Sequence, residues 1–272
     1  MKIECIYAGD KIMKRYIMRI FILCTVVLLL MFCTIGHAAE LIVFAAASLT
    51  ESLSELGREY MAAHPDAEIL FNFDSSGTLK TQIQEGAECD LFLSAGQAQM
   101  NALEEQDMLL AGTRFNILEN KIALAVPEGN PARIYTYEDM ISGLKNGSIL
   151  MAMGGADVPV GEYTRKILAH FGLTEEELSA AGSVTYGSNV KEVTTQIAEA
   201  LVDCGVIYQT DAFSAGLAVA DTAAEEMCGR VVYPAAVMKT SANPGAARDF
   251  LNYLIGDAGD GVFAAAGFTP MN

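Results

Sequence analysis

The chain has 272 residues, of which 52% are apolar, and it carries 34 acids against 17 Lys and Arg, a net charge of −17. Such a surface repels nucleic acid and anionic membranes, while the apolar content is enough for a large core, more comfortably as two lobes than one. With three His, six Cys and no His/Cys cluster at ligand spacing, a zinc site is not expected.

In chain order, the first element is a leader. Lys11, Lys14, Arg15 and Arg19 precede an apolar stretch at 20–35, and Gly36-His-Ala-Ala39 follows. A basic region, a short apolar run and small residues make a secretory signal peptide over 1–39, cleaved after Ala38 or Ala39. The 16 positions of the apolar run fall short of the ~20 a membrane-spanning helix needs. A permanent N-terminal anchor is the alternative, and a lipoprotein at Cys33 would have Phe32 where a small residue belongs. Without the leader, 12 of the 17 bases and 32 of the 34 acids remain, a net charge of −20. Cys89, Cys204 and Cys228 also remain, either with a Cys204–Cys228 disulfide or as three buried thiols.

From residue 41 onward, strand and helix patterns alternate, as in an α/β protein. A strand at 41–46 runs through Ala47-Ser48 into a helix at 49–63, and one at 68–73 runs through Asp74-Ser-Ser76 into a helix at 78–86. A strand at 89–94, a helix at 97–106, a strand at 121–126 and a helix at 136–145 follow. The strand at 148–152 leads through Gly154-Gly-Ala-Asp-Val-Pro-Val-Gly161 into a helix at 161–171. The strand at 182–185 leads through Gly187-Ser-Asn-Val190 into a helix at 190–203. Strands at 205–208 and 231–238 and helices at 244–255 and 258–265 complete the pattern. The segments 120–126 and 231–238 read as crossings between lobes, with lobe I at 40–121 plus 234–272 and lobe II at 122–233.

Four of these junctions share one form: an apolar run, a small or hydroxyl residue, then an amphipathic helix. A helix start carries unpaired N–H groups and a positive dipole end, so several aimed at one point can hold a small oxyanion without Lys or Arg. Each residue also has an ordinary role. Ser48 and Ser76 could be plain helix N-caps, Tyr208 a core tyrosine, and Val160 and Val190 simple helix residues. Catalytic patterns are absent: there is no Gly-x-Ser-x-Gly elbow and no Gly-Lys-Ser/Thr phosphate loop. His64 and His170 read as helix-end residues, so no enzyme is expected and no catalytic residue is assigned.

Val43-Phe-Ala-Ala-Ala-Ser-Leu-Thr50, Ser75-Ser-Gly-Thr-Leu79, Cys89-Asp-Leu-Phe-Leu-Ser-Ala95, Val158-Pro-Val-Gly-Glu-Tyr163, Asn189-Val190, Gly205-Val-Ile-Tyr208, Tyr233-Pro234 and Gly267-Phe-Thr269 form an ordered set over 40–272. That set resembles the molybdate-binding proteins of ATP-driven (ABC) importers. The resemblance implies the type II periplasmic binding protein fold: two α/β lobes, each a mostly parallel sheet flanked by helices, hinged by two crossing segments. It implies an extracytoplasmic monomer that captures molybdate, and tungstate nearly as well, for permease and ATPase partners. The implied oxyanion ligands are the hydroxyls of Ser48, Ser76 and Tyr208 and backbone N–H groups at Val160 and Val190, with no direct metal-ion ligand and no cofactor. Three departures stand out: Asn189 where an acid is common, Gly77 in place of a hydroxyl residue, and Asp157 before the Val-Pro pair. A binder of sulfate or thiosulfate, or a sensory module on the same fold, are the alternatives.

Overall fold

The computed structural model describes residues 39–271 together with Met18; the expected signal peptide otherwise lies outside the described residues. Strand β1 (Ala39–Ala46) passes through a 3-10 turn (Ala47–Leu49) into α1 (Thr50–Ala63). Then come β2 (Ala67–Asp74), α2 (Ser76–Gln84), β3 (Leu91–Leu93), α3 (Gln97–Glu105) and β4 (Phe115–Asn120). Only Lys121 separates β4 from β5 (Ile122–Val126). Next are α4 (Tyr137–Asn146), β6 (Met151–Gly154), α5 (Pro159–His170), α6 (Glu175–Ala181), β7 (Val184–Gly187) and α7 (Val190–Ala198). After these follow β8 (Cys204–Tyr208), α8 (Gln209–Ser214), β9 (Ala218–Thr222) and α9 (Glu225–Cys228). The chain closes with β10 (Val231–Val237), α10 (Pro244–Leu254), α11 (Asp257–Ala265) and β11 (Thr269–Pro270).

Two sheets result, one ordered β11-β4-β10-β3-β1-β2 and the other β7-β6-β8-β5-β9. β1 is parallel to β2 and β3, and β6 is parallel to β7 and β8. From Val43 to Ala46, β1 is buried at every position, because a parallel sheet covered by helices on both faces needs an unbroken apolar run. The strands by which the chain changes sheet, β4, β5 and β10, are antiparallel to their neighbours. With one residue between β4 and β5, the chain steps directly from the first sheet into the second. Val231 to Tyr233, assigned by sequence to the second lobe, pair with Asn120 to Leu118 in the first sheet. The return crossing therefore lies upstream of residue 231, between β9 and β10.

Several elements differ from the sequence reading for local reasons. β4 joins the first sheet through a stretch without clean alternation, since Ile117 and its neighbour Leu118 are both buried. β9 is an edge strand, half exposed and so without an apolar signature. α6 carries the capping box Thr174/Glu177 and stops at left-handed Gly182 (φ 67°), so its three consecutive glutamates form a helix start as well as a solvated face. α7 ends at Ala198, not at 203, because Ala200 turns left-handed (φ 51°) and frees the chain for β8. Cys89, Cys204 and Cys228 are free and buried, which leaves the Cys204–Cys228 disulfide unformed. Burial pushes the Cys89 and Cys204 thiols up to about 12. No helix among the described residues is long and apolar enough to cross a membrane.

Asp90 ties the first sheet together at the end away from the helix starts. Its Oδ2 accepts the Ile42 N–H at 2.8 Å and its Oδ1 the Ser241 hydroxyl, while its backbone bonds Ile42 and Met238. Replacing it with alanine orphans a backbone N–H beside the core. Asp90→Ala is expected to lower stability by about 2–3 kcal/mol in urea unfolding, and a loss under about 0.5 kcal/mol would contradict this role.

Candidate functional site

Helix starts and strand ends from both sheets meet on one side of the molecule, outside the carboxyl ends of β1, β2, β6, β7 and β8, where open α/β sheets hold ligands. Ser48 sits in the 3-10 turn after β1, and Ser76 is the first residue of α2. Val160 is the second residue of α5, behind Pro159, and Val190 is the first of α7. Tyr208 ends β8. All five line one narrow cleft with about 10 Å3 of free interior, together with Ala46, Ala47, Asp74, Ser75, Ala95, Val158 and Pro159. None of these residues is Lys or Arg, and each of the five predicted positions is at most 5% exposed. His64 and His170 lie elsewhere, at the ends of α1 and α5.

The donors are individually placed. Ser75, not Ser76, caps α2, its Oγ accepting the Thr78 N–H at 3.1 Å. Ser76 is therefore released from capping. Its Oγ accepts the Ala95 N–H at 2.9 Å, which leaves its own proton to donate. Ser48 Oγ lies 3.0 Å from the Tyr233 hydroxyl. The Tyr208 hydroxyl donates to the Ala95 carbonyl at 3.3 Å, linking β8 to the first sheet. Burial, with Tyr233 and Tyr163 close by, raises Tyr208 well above an ordinary phenol, so it stays a neutral donor. Val160 and Val190 stand in the first turns of their helices, where backbone N–H groups have no intrahelical acceptor.

The acid at this cavity is Asp74, which sequence reasoning did not single out. Its Oδ1 accepts the Ser75 N–H at 2.7 Å and the Asn189 side-chain amide at 3.4 Å. Asn189 thus caps α7 through its oxygen and donates to Asp74 through its nitrogen, which an acid at that position could not do. The Asp157 side chain is exposed and only its carbonyl faces inward, near Ser75 Oγ at 3.4 Å. A Cβ on Gly77 would stand 1.9 Å from that carbonyl oxygen. Glycine here is what lets α2 and the loop before α5 come so close.

Polar pairs also bridge the two sheets' helices around this rim. Gln99 donates to Glu162 at 2.6 Å, and the Lys191 ammonium reaches Glu51 at 2.8 Å and Asp211 at 3.1 Å. Lys191 adjoins Val190, yet two carboxylates consume its charge. Burial works against the Lys191 ammonium, but Asp211 and Glu51 outweigh it and raise its pKa. Burial raises Asp211 to about 6 against the pull of Lys191, and its Oδ2 has no hydrogen-bond partner among the described residues.

Two α/β sheets flanked by helices, with a small cleft at the facing helix starts, are the architecture of a solute-binding protein. The chain belongs to the bacterial extracellular solute-binding protein family, whose profile matches residues 41–269. It is 32% identical over 232 residues to the molybdate-binding protein ModA of Mycobacterium tuberculosis strain H37Rv, covering 85% of each chain. Against the molybdate-binding protein ModA of Haemophilus influenzae it is 31% identical, covering 85% of this chain and 91% of that protein. The periplasmic molybdate-binding protein of Azotobacter vinelandii has the same fold, with a TM-score of 0.73 and 21% identity over 85% of this chain and 100% of that one.

Two outcomes follow from this geometry. Gly77→Ala is expected to part α2 from the 155–158 loop while both sheets stay folded. Amide hydrogen exchange should then rise at Val158, Gly161 and Glu162, whose N–H groups bond within that loop and the helix start after it, and an unchanged pattern would contradict the close approach. Asp211 has a folded pKa near 6 against an ordinary 3.8, so its favourable share of stability is present below about pH 4 and is lost as pH rises through 6. Relative to the native protein, Asp211→Asn should therefore gain stability between pH 4 and 7, by up to about 3 kcal/mol in urea unfolding. A flat difference across that range would refute it.

Proposed function

We propose that this protein captures molybdate, and tungstate nearly as well, between its two lobes outside the cytoplasmic membrane and delivers it to the permease and ATPase of an ABC importer. The observation that carries this reading is the convergence of Ser48, Ser76, Val160, Val190 and Tyr208 on one cavity without a cation. Two relatives named as molybdate-binding proteins, each above 30% identity over most of the chain, support it.

The chemistry fits a fully deprotonated tetrahedral oxyanion, which accepts hydrogen bonds and donates none. Ser48 and Ser76 supply hydroxyl protons, and Val160 and Val190 supply N–H groups at helix starts whose dipoles favour negative charge. Tyr208 adds its proton when it turns from the Ala95 carbonyl to the ligand. Hydrogen bonds to a charged group contribute roughly 1.5–3 kcal/mol each, so five donors offer about 8–15 kcal/mol gross. Ordering and lobe closure subtract several kcal/mol, which leaves binding in the micromolar to nanomolar range. Because the chain's overall charge repels anions, affinity depends on these local donors and hardly on long-range attraction. Lobe closure is the event an importer would read.

Calorimetric titration of ligand-stripped residues 40–272 with molybdate, tungstate, sulfate and phosphate tests the reading. Tight one-to-one binding of the first two is expected, with sulfate and phosphate at least a hundredfold weaker. Ser48→Ala should weaken molybdate by about tenfold or more, the scale of one hydrogen bond to a charged group. Preferential binding of sulfate would reassign the ligand within the same class, and no heat with any oxyanion would sink the proposal.

A further inference from the structure

Behind Ser48, away from the cavity, lies a line of buried polar side chains that the oxyanion reading does not use: Tyr233, Asn120 and Thr210, exposed by 0%, 6% and 4%. Asn120 ends β4 beside the crossing to β5, Tyr233 lies on β10, and Thr210 is in the first turn of α8. The Asn120 carboxamide has one possible orientation. Its oxygen must accept the Lys121 N–H at 2.8 Å, so its nitrogen points the other way. That nitrogen donates to Thr210 Oγ1 at 2.9 Å and to the Tyr233 hydroxyl oxygen at 3.3 Å. The Tyr233 hydroxyl, accepting from an amide that can only donate, has Ser48 Oγ 3.0 Å away as the acceptor for its own proton. The contact geometry lets either hydroxyl donate; with Tyr233 donating, Ser48 accepts and keeps its own proton beside the cavity.

We infer that Asn120 and Tyr233 are positioning residues that set the polarity of Ser48, holding it as a donor toward a bound oxyanion and preventing it from presenting a lone pair. A serine hydroxyl alone both donates and accepts, so without this relay it could turn to accept from a proton-carrying anion such as hydrogenphosphate. The relay makes one wall of the cleft select for acceptor-only ligands. Through Thr210 it also bonds the first sheet to α8 of the second at the crossing, so Ser48 is aimed fully only when the two lobes stand as they do here. The inference rests on the oxyanion reading.

A double-mutant cycle separates a relay from a merely structural tyrosine. Molybdate and phosphate affinities would be measured by calorimetry for the native chain, Tyr233→Phe, Ser48→Ala and the double variant, with thermal unfolding of each. Tyr233→Phe is expected to weaken molybdate at least fivefold while phosphate is unchanged or tighter. In the Ser48→Ala background the same change should alter molybdate less than twofold. Equal losses in both backgrounds, or equal losses for both anions, would overturn the relay while leaving the oxyanion reading intact. Should Tyr233→Phe fail to fold, Asn120→Asp serves in its place: an acceptor there turns the Tyr233 proton away from Ser48, and its loss must again shrink when Ser48 is absent. If the native chain binds no oxyanion, the functional reading falls and the relay falls with it.

Discussion

A helix that begins directly at the end of a strand leaves its first N–H groups without carbonyl partners, and in this protein such starts face one another from two separate sheets. Everything near the cavity follows from satisfying or exploiting those groups. Where a side chain can cap them, one does: Ser75 for α2 and Asn189 for α7. α5 has no such cap; Pro159 at its first turn removes one donor, and Val160 is left facing the cavity. The valines matter here for their backbones, while their buried side chains fix where those backbones stand.

Close approach of the lobes is the second requirement, and it depends on absent atoms as much as on present ones. Gly77 has no Cβ to collide with the Asp157 carbonyl across the lobes, and within the second lobe Gly161, in the first turn of α5, packs as tightly against the Gly154 carbonyl at the end of β6. The charged groups around the cleft are each held by a partner. Asp74 is held by Ser75 and Asn189, and Lys191 by Glu51 and Asp211. The cleft therefore has no cation on its wall, and its one acid, Asp74, is hydrogen-bonded by Ser75 and Asn189, in a chain of net charge −17. A neutral, rigid set of donors loses less entropy on binding than a flexible cationic side chain would.

Much of this was legible in the residues. The alternation of apolar runs and amphipathic stretches marked the strands and helices that build both lobes, because a doubly covered sheet and a half-buried helix impose different periods. The junctions with Ser48, Ser76, Val160 and Val190 were visible because strand, small residue and helix lie consecutively. β4, β9 and α6 were not. Neither strand shows a period-2 pattern, and α6 buries only Leu178, so no apolar stripe marks it among its surface glutamates. Asp74 escaped notice because its role depends on Asn189, 115 residues away.

The sequence by itself therefore determined the local elements, the helix starts and the residue types able to donate there, since each is decided by neighbours within a few positions. Only the tertiary structure decided which serine caps and which is free, that Asp157 turns outward while Asp74 turns in, and that Tyr233 and Asn120 stand behind Ser48. The two serines are sorted by Thr78, three residues on from Ser75, and Ala95, nineteen on from Ser76, while the other choices depend on contacts between segments 82 to 185 residues apart. No local pattern records such a partner, because packing brings it there.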